Sequence, residues 1–528
     1  MKLDLSSERS DCLFSREAVL VLLLGVIIRL FAFYNTFIVV PDSVLYIHQA
    51  RALYYGQWGA LTSCGLSYLS SYPIFIAGAY ILFHNWIIAG MSVSLFFGSI
   101  TLIPIYFLMK QFFNERTSTL GTLIFALTPV LVGRSVDVIR DPVYWFFLVL
   151  GVFFFVRHFD KRNYLYLFMS SFSFLTASWA RIEAILFVIV SCMYILAVRQ
   201  KNKIKKIAIF ILPLFIVALL AASGASLFEV PINKFHRADQ ILGKFTGTVD
   251  QYKNVSESLA ELADNQHEGN LQFFLPEARN TVWLIALGML LNRSLEAFFY
   301  PYFLVVLIGL IGIWKKINSD LRVLYCVLLA ASGLILLYVH ILQTWMMYYR
   351  FLAIVIFPSF IFVGYGLEHI IHWLQSKFNL RKSTAYSIVC FLILISALPK
   401  NLQKRGADKI VFRQIAEVIA NREESRRVIE ISTSRHTHRW ISFYTNLGYK
   451  GAPCPEPPHK ETWGQYANDY GKLLRHLKKT GVKYFLWEEK NWPTPTFKVN
   501  ESPYARNFKA LGRWYHRDTG QMILFAVS

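Results

Sequence analysis

Apolar runs of membrane-spanning length recur along this chain, and that recurrence limits its fold more than any motif does. A bilayer core is crossed by about 20 apolar helical residues, and Ala18 to Val40 is the first such run. The length criterion gives about eleven crossings, at 18–40, 87–109, 118–132, 142–156, 164–180, 184–198, 207–224, 302–314, 323–342, 351–371 and 384–398. With 55% hydrophobic and only 16% charged residues among 528, the expected fold is an α-helical polytopic membrane protein. Residues 1 to 17 contain acids and bases, and the following run has no small-residue cleavage site, so the first helix is expected to be retained.

The formal net charge of +21 invites a nucleic-acid partner, but the basic residues cluster in short loops between apolar runs. Alternation places Lys110/Arg116, Arg157/Lys161/Arg162, Arg199/Lys201/Lys203/Lys205/Lys206, Lys315/Lys316/Arg322 and Lys377/Arg381/Lys382 on one side. The positive-inside rule makes that side, and the N-terminus, cytoplasmic, and no nucleic-acid partner is expected. Tyr72 to Phe83 is apolar but too short to cross, and counting it as a crossing would turn the basic loops outward. It is read as a surface or re-entrant helix of the first external loop.

This topology divides the chain into a membrane domain, 1–399, with external loops at 41–86, 133–141 and 225–301, and an external domain, 400–528. The segment from Ser43 to Gly56 reads as an amphipathic surface helix. The third loop is polar through Asn280, then apolar and aromatic from Val282 to Tyr300, a second surface helix. Beyond 400, helices at Ile410–Ala420 and Tyr470–Lys479 alternate with strands at Arg427–Ile431, Lys483–Trp487 and Met522–Val527, the pattern of a small α/β domain. Six cysteines show no metal or redox spacing. Cys64 and Cys454 are the two placed outside, where a bond between them would staple the C-terminal domain over the first loop.

The external helix ends collect Asp42, Asp137, Arg140, Asp141, Arg181, Glu183 and Arg350, and the third loop adds Lys234, His236 and Arg237. Charges at the hydrocarbon boundary are costly and tend to be paired or functional, so their shared side suggests one external site for an anionic substrate. Local readings stand beside this. Asp141-Pro142 has the form of a helix N-cap followed by proline, and Asp42 has the form of a cap for a helix beginning at Ser43. Arg350 follows the aromatic run Trp345 to Tyr349, where an anchoring arginine is common. Arg181 and Glu183, two apart on a helix, do not face each other and need other partners.

The order of Asp42 with Tyr46 four residues on, Tyr72-Pro73, Arg140-Asp141-Pro142, Arg181-Ile182-Glu183, Tyr349-Arg350-Phe351 to Pro358 and a C-terminal domain resembles the GT-C glycosyltransferases. Within them it is most similar to the protein O-mannosyltransferase and lipid A aminoarabinose transferase branch, over roughly residues 15–400. The resemblance implies a polyprenyl-phosphate-linked sugar donor, inverting transfer of a hexose or pentose at the external face, and a first-loop aspartate matching Asp42. Many members carry a second acid directly after that aspartate, where this chain has Ser43. The second-loop acid matches Asp141, with Asp137 one helical turn earlier as the alternative. No extra sugar-recognition repeats follow, which favours a bacterial inner-membrane enzyme.

The chemistry implied is economical. Expelling polyprenyl phosphate, already a stable anion, needs no strong general acid, only a base for the acceptor and cations for the phosphate. Asp42 and Asp141 are the expected catalytic pair. Arg140, Arg350, Arg181, Lys234 and Arg237 are expected to hold the donor phosphate, because guanidinium forks donate in pairs and stay charged. Tyr46, Asp137, Glu183 and His236 are expected to meet the acceptor or the sugar. No cofactor is expected. A divalent ion among the acids is the alternative, without a compact ligand motif to support it. The expected partners are the lipid-linked donor, membrane lipids, and an acceptor that is lipid A, another envelope glycan or protein. The rival functions are a lipid-linked glycan transporter or flippase, and an oligosaccharide polymerase or ligase using a diphosphate-linked donor.

Overall fold

A computed structural model describes residues 14–66, 68–199, 201–227, 237–265, 269–424, 426–455, 466, 469–494 and 497–528. Among them, five helices are long and apolar enough to cross a membrane: Arg16–Tyr34, Trp86–Lys110, Asp141–Lys161, Leu321–Thr344 and Lys382–Asn401. Two bent pairs, Leu271–Asn280 with Val282–Phe298 at 81° and Tyr349–Ile356 with Phe360–Phe378 at 70°, bring the number to seven if each is one span. Ser71–Phe83, Ile182–Ala197 and Tyr300–Trp314 are shorter apolar helices.

Of the eleven expected crossings, 18–40, 87–109, 142–156, 323–342 and 384–398 meet the five long helices and 351–371 the second bent pair, while 184–198 and 302–314 meet shorter apolar helices. The run 118–132 is two helices, Glu115–Leu127 and Pro129–Arg134, because Pro129 cannot continue the first and starts the second. The stretch 225–301, expected as an external loop, is largely helical among its described residues. It contains the helix Arg237–Asn265, 29 residues long, followed by Leu271–Asn280 and Val282–Phe298. Polar composition had hidden the first of these.

The chain forms two compact units. The first comprises Met1–Phe31, Leu95–Ser135 and Asp141–Leu402. On its helix Arg16–Tyr34, Leu20, Leu23 and Ile27 are exposed whereas Arg29 is fully buried, the reverse of a soluble helix and the arrangement lipid favours. Helices pack closely where glycine removes the obstacle. Gly309 and Gly366 let Tyr300–Ile317 and Phe360–Phe378 touch backbone to backbone; a Cβ at Gly309 would lie 1.8 Å from the Phe362 carbonyl oxygen.

The second unit comprises Ala32–Ser94, Val136–Arg140 and Gln403–Ser528. Its sheet has four strands, β1 (Ile431–Ser432), β2 (Tyr484–Glu488), β3 (Phe508–His516) and β4 (Gly520–Val527), in the order β1-β2-β4-β3. β1 and β2 are parallel, and the other pairs are antiparallel with Phe485 opposite Phe525. Leu473, Leu477, Phe485, Phe508 and Phe525 form its core beneath the helix Tyr470–Lys479. Helices Ile410–Ala420 and Tyr470–Lys479 match expectation, whereas β3 and the helix Arg435–Thr445 were not anticipated.

The first-loop helix corrects two readings. It spans Pro41–Tyr54, with Val40 at the N-cap and proline in the first turn, so Asp42 lies inside it and is not its cap. Every residue from Ser43 to Ala52 is buried, so it is not an amphipathic helix resting one face on a surface.

Candidate active site

Within the first unit, the helix Tyr164–Ala180 ends at Arg181, whose backbone is extended, and a turn at Ile182–Ala184 leads into Ile185–Ala197. That break corrects the expectation for Arg181 and Glu183. The two residues are not on one helix, and Arg181 Nη2 donates to Glu183 Oε1 at 3.1 Å. Arg181 Nη1 donates to Asp141 Oδ1 at 2.6 Å, with both side chains almost wholly buried. Asp141 is the first residue of the helix Asp141–Lys161, so its carboxylate also meets that helix's positive end.

One aromatic ring gathers the cations. The Arg181 guanidinium lies 4.8 Å and the Arg350 guanidinium 5.4 Å from the centre of Phe351. Arg350 also stacks on Tyr348 at 5.2 Å. Beside them is an apolar pocket with Leu186, Ile189, Leu336 and Leu337 in its walls. Glu183 and Phe351 belong to both pocket and charge cluster, and His340 and Gln343 add polar atoms. An apolar cavity sharing residues with arginines suits a molecule with a hydrocarbon body and an anionic head.

Within the second unit, Asp42 Oδ1 lies 3.5 Å from Arg439 Nη1. One turn on, Tyr46 is buried with its ring edge against Tyr72, centroids 5.6 Å apart. The Arg140 guanidinium lies 5.9 Å from the Tyr46 ring and 5.5 Å from the Tyr68 ring, and donates to the Tyr68 hydroxyl. Asp137, also buried, accepts from Arg405 Nη2 at 2.9 Å. The Tyr72 hydroxyl donates to the Gly90 carbonyl at 2.8 Å, and Ser94 Oγ donates to the Ile139 carbonyl at 3.2 Å, fixing the backbone that carries Asp137 and Arg140.

The structure thus joins Asp141 with Arg181 and Glu183, and Tyr46 with Arg140. Asp141, Arg181, Glu183 and Arg350 belong to the first unit, and Asp42, Tyr46, Asp137 and Arg140 to the second. Lys234 and His236 lie outside the described residues, and Arg237 is described only as the start of its helix. Sequence reasoning did not single out Arg405 and Arg439, which sit among other basic residues of the C-terminal segment. It also missed Arg29, a lone arginine inside the first apolar run. Arg29 Nη1 donates to the Gly25 and Ala126 carbonyls at 3.0 Å each, and Nε donates to Ser135 Oγ at 3.2 Å. Ala126 lies in the last turn of Glu115–Leu127, so the guanidinium serves a carbonyl near the proline break.

The membrane-length helices, short first-loop helices and small C-terminal sheet together share their fold with solved structures of an oligosaccharyltransferase and of ArnT. Residues 70–226 match the family described as dolichyl-phosphate-mannose-protein mannosyltransferase. The archaeal oligosaccharyltransferase AglB from Archaeoglobus fulgidus, solved with an inhibitory peptide and a dolichol-phosphate, aligns with TM-score 0.55 and 11% identity over 97% of this chain and 74% of that one. The same organism's oligosaccharyltransferase in complex with Zn and sulfate gives TM-score 0.58, 13% identity, and coverage of 97% and 73%. ArnT from Cupriavidus metallidurans bound to undecaprenyl phosphate gives TM-score 0.57, 12% identity, and coverage of 96% and 97%. No curated protein sequence matches the chain.

Proposed function

We propose that this protein transfers one sugar from a polyprenyl monophosphate to an envelope acceptor, at the external membrane face. The observation that carries the reading is the apolar pocket sharing Glu183 and Phe351 with the Arg181 cluster. Its walls fit a polyprenyl chain, and Arg181 and Arg350 fit the phosphate. The dolichol-phosphate and undecaprenyl phosphate in two structures of the same fold support that ligand class.

Asp141 and Glu183 orient Arg181, and Asp42 takes the acceptor's proton. The acceptor oxygen forms its bond to the anomeric carbon as the carbon–oxygen bond to phosphate breaks, and polyprenyl phosphate leaves as an anion. Attack opposite the leaving group inverts the anomeric configuration. Arg140, stacked on Tyr46 and Tyr68, serves the same ionic demand on the Asp42 side, with Tyr46 and Asp137 meeting acceptor or sugar. Lys234, Arg237 and His236 keep their proposed roles in phosphate and sugar binding.

The reaction is proposed to need no metal. Asp42, Asp137 and Asp141 each have an arginine within 3.5 Å, and a carboxylate so engaged has fewer lone pairs to offer a hard cation. The test is binding of undecaprenyl phosphate to the purified protein, followed by native mass spectrometry, with and without EDTA. The reading expects retention over a neutral polyprenol, unchanged by EDTA and weakened at least tenfold in Arg181→Gln. Equal retention of the neutral lipid would overturn it, and selective retention of a diphosphate-linked glycan would favour a ligase or polymerase.

A further inference from the structure

The helix that carries Asp42 is tied to the C-terminal segment near both of its ends. Just before it, the Val39 backbone N–H donates to the Tyr444 hydroxyl at 3.0 Å, and Trp440 Nε1 donates to the Val39 carbonyl at 2.7 Å. Further along, the buried Arg51 guanidinium donates to the carbonyls of Asn446, Tyr449 and Gly451. His48 Nδ1 bonds the Pro453 carbonyl at 2.9 Å. Past the helix, Gln57 accepts from the Ala452 N–H at 2.8 Å, and Cys64 is bonded to Cys454. All of these residues belong to one compact unit.

The helix presented to Asp42, Arg435–Thr445, is itself pinned. The buried Glu488 carboxylate accepts from Thr433 Oγ1 at 2.7 Å and Ser434 Oγ at 2.6 Å, and from the Thr437 hydroxyl. One turn on, Trp440 stacks on Phe412 with ring planes 3° apart. Arg439 lies between these two anchors, and its guanidinium reaches Asp42 at 3.5 Å, with the two side chains only 24% and 35% exposed.

We propose that Arg439 is the positioning residue for Asp42: from the C-terminal segment it orients the carboxylate. The inference rests on the reading of Asp42 as the acceptor's base. At this distance the contact acts on the orientation of the carboxylate through charge. The C-terminal domain is then part of the acceptor machinery and not an appendage to it.

The test is steady-state transfer by the purified full chain, with the polyprenyl-phosphate lipid fraction of its own cells as donor and their envelope fraction as acceptor. Arg439→Gln and Arg439→Met are expected to lower kcat roughly tenfold with donor KM within about twofold, and Arg439→Lys to recover most of the loss. Folding of each variant is read from an intact Cys64–Cys454 bond. Unchanged kcat in a bonded variant overturns the proposal. So does a raised donor KM at normal kcat, the result for a phosphate ligand. If neither neutral variant forms the bond, Arg439 is structural and the proposal falls. Full activity of Asp42→Asn, or no transfer by the wild type, overturns the parent reading instead.

Discussion

Arg181 donates to Asp141 across 2.6 Å while a second nitrogen of the same guanidinium reaches Glu183, and both Arg181 and Asp141 are cut off from solvent. Removing Arg181 leaves two carboxylates without their counter-charge, and removing Asp141 forfeits a buried hydrogen-bonded ion pair, losses of up to about 3–5 kcal/mol. Arg181→Leu and Asp141→Leu are therefore expected to lower the thermal unfolding midpoint in detergent sharply, and the double substitution less than the sum of the two. Additive losses would show that the pair is not coupled. Arg181→Lys is expected to fold yet bind undecaprenyl phosphate weakly, because an ammonium cannot reproduce the fork.

The bond between Cys64 and Cys454 joins residues 390 apart. Disulfides persist in oxidising compartments, so the first loop and C-terminal domain are expected to face outward. Protease cleavage between the two positions should leave the fragments together on non-reducing gels and release them with reductant. Cys64→Ser should cost roughly 2–5 kcal/mol of stability. Release without reductant in protein from native membranes would contradict the bond and weaken the outward assignment.

Burial pushes His438 down to about 4, and its Nδ1 has no hydrogen-bond partner among the described residues. The unfolded chain takes up this proton near pH 6.5. Between those values the unfolded state binds more protons, so stability present above pH 6.5 is lost as pH falls, by about 2 kcal/mol at pH 5. The unfolding midpoint should drop from pH 7.5 to pH 5, and His438→Leu should shrink that drop. An identical pH dependence in the variant would show that another group is responsible.

What the sequence made legible was whatever depends on local period and length. Ile410–Ala420 and Tyr470–Lys479 showed their apolar faces at helical spacing and form helices over those residues. Arg435–Thr445 was missed because its sequence, RHTHRWISFYT, is polar at the start and mixes aromatic with β-branched residues. β3 was missed because its central residues leave much of their surface exposed and give little apolar signal. Topology alone placed Cys64 and Cys454 in one compartment, but whether they are bonded was left open, because one sequence does not show their geometry.

The charged residues were found more easily than their partners. Asp42 and Asp137 stood out as acids at helix ends, but Arg439 and Arg405 lie 397 and 268 residues away, a separation across which a single sequence carries no pairing information. Arg181 and Glu183 failed differently: the helix break at Arg181 has neither glycine nor proline to announce it, so a rule for continuous helices was applied across a discontinuity. Pro41 did announce the start of the first-loop helix, and reading it would have placed Asp42 inside the first turn.

The central claim is that the chain moves one sugar from a lipid phosphate with Asp42 as the acceptor's base. Mass spectrometry of envelope lipids, glycans and proteins from cells carrying the gene, lacking it, or carrying Asp42→Asn tests it most directly. The account predicts one acceptor that loses the mass of a single sugar on deletion, regains it with the wild type, and does not regain it with an Asp42→Asn protein present at normal level. Full restoration by Asp42→Asn, or no mass change on deletion, would contradict it.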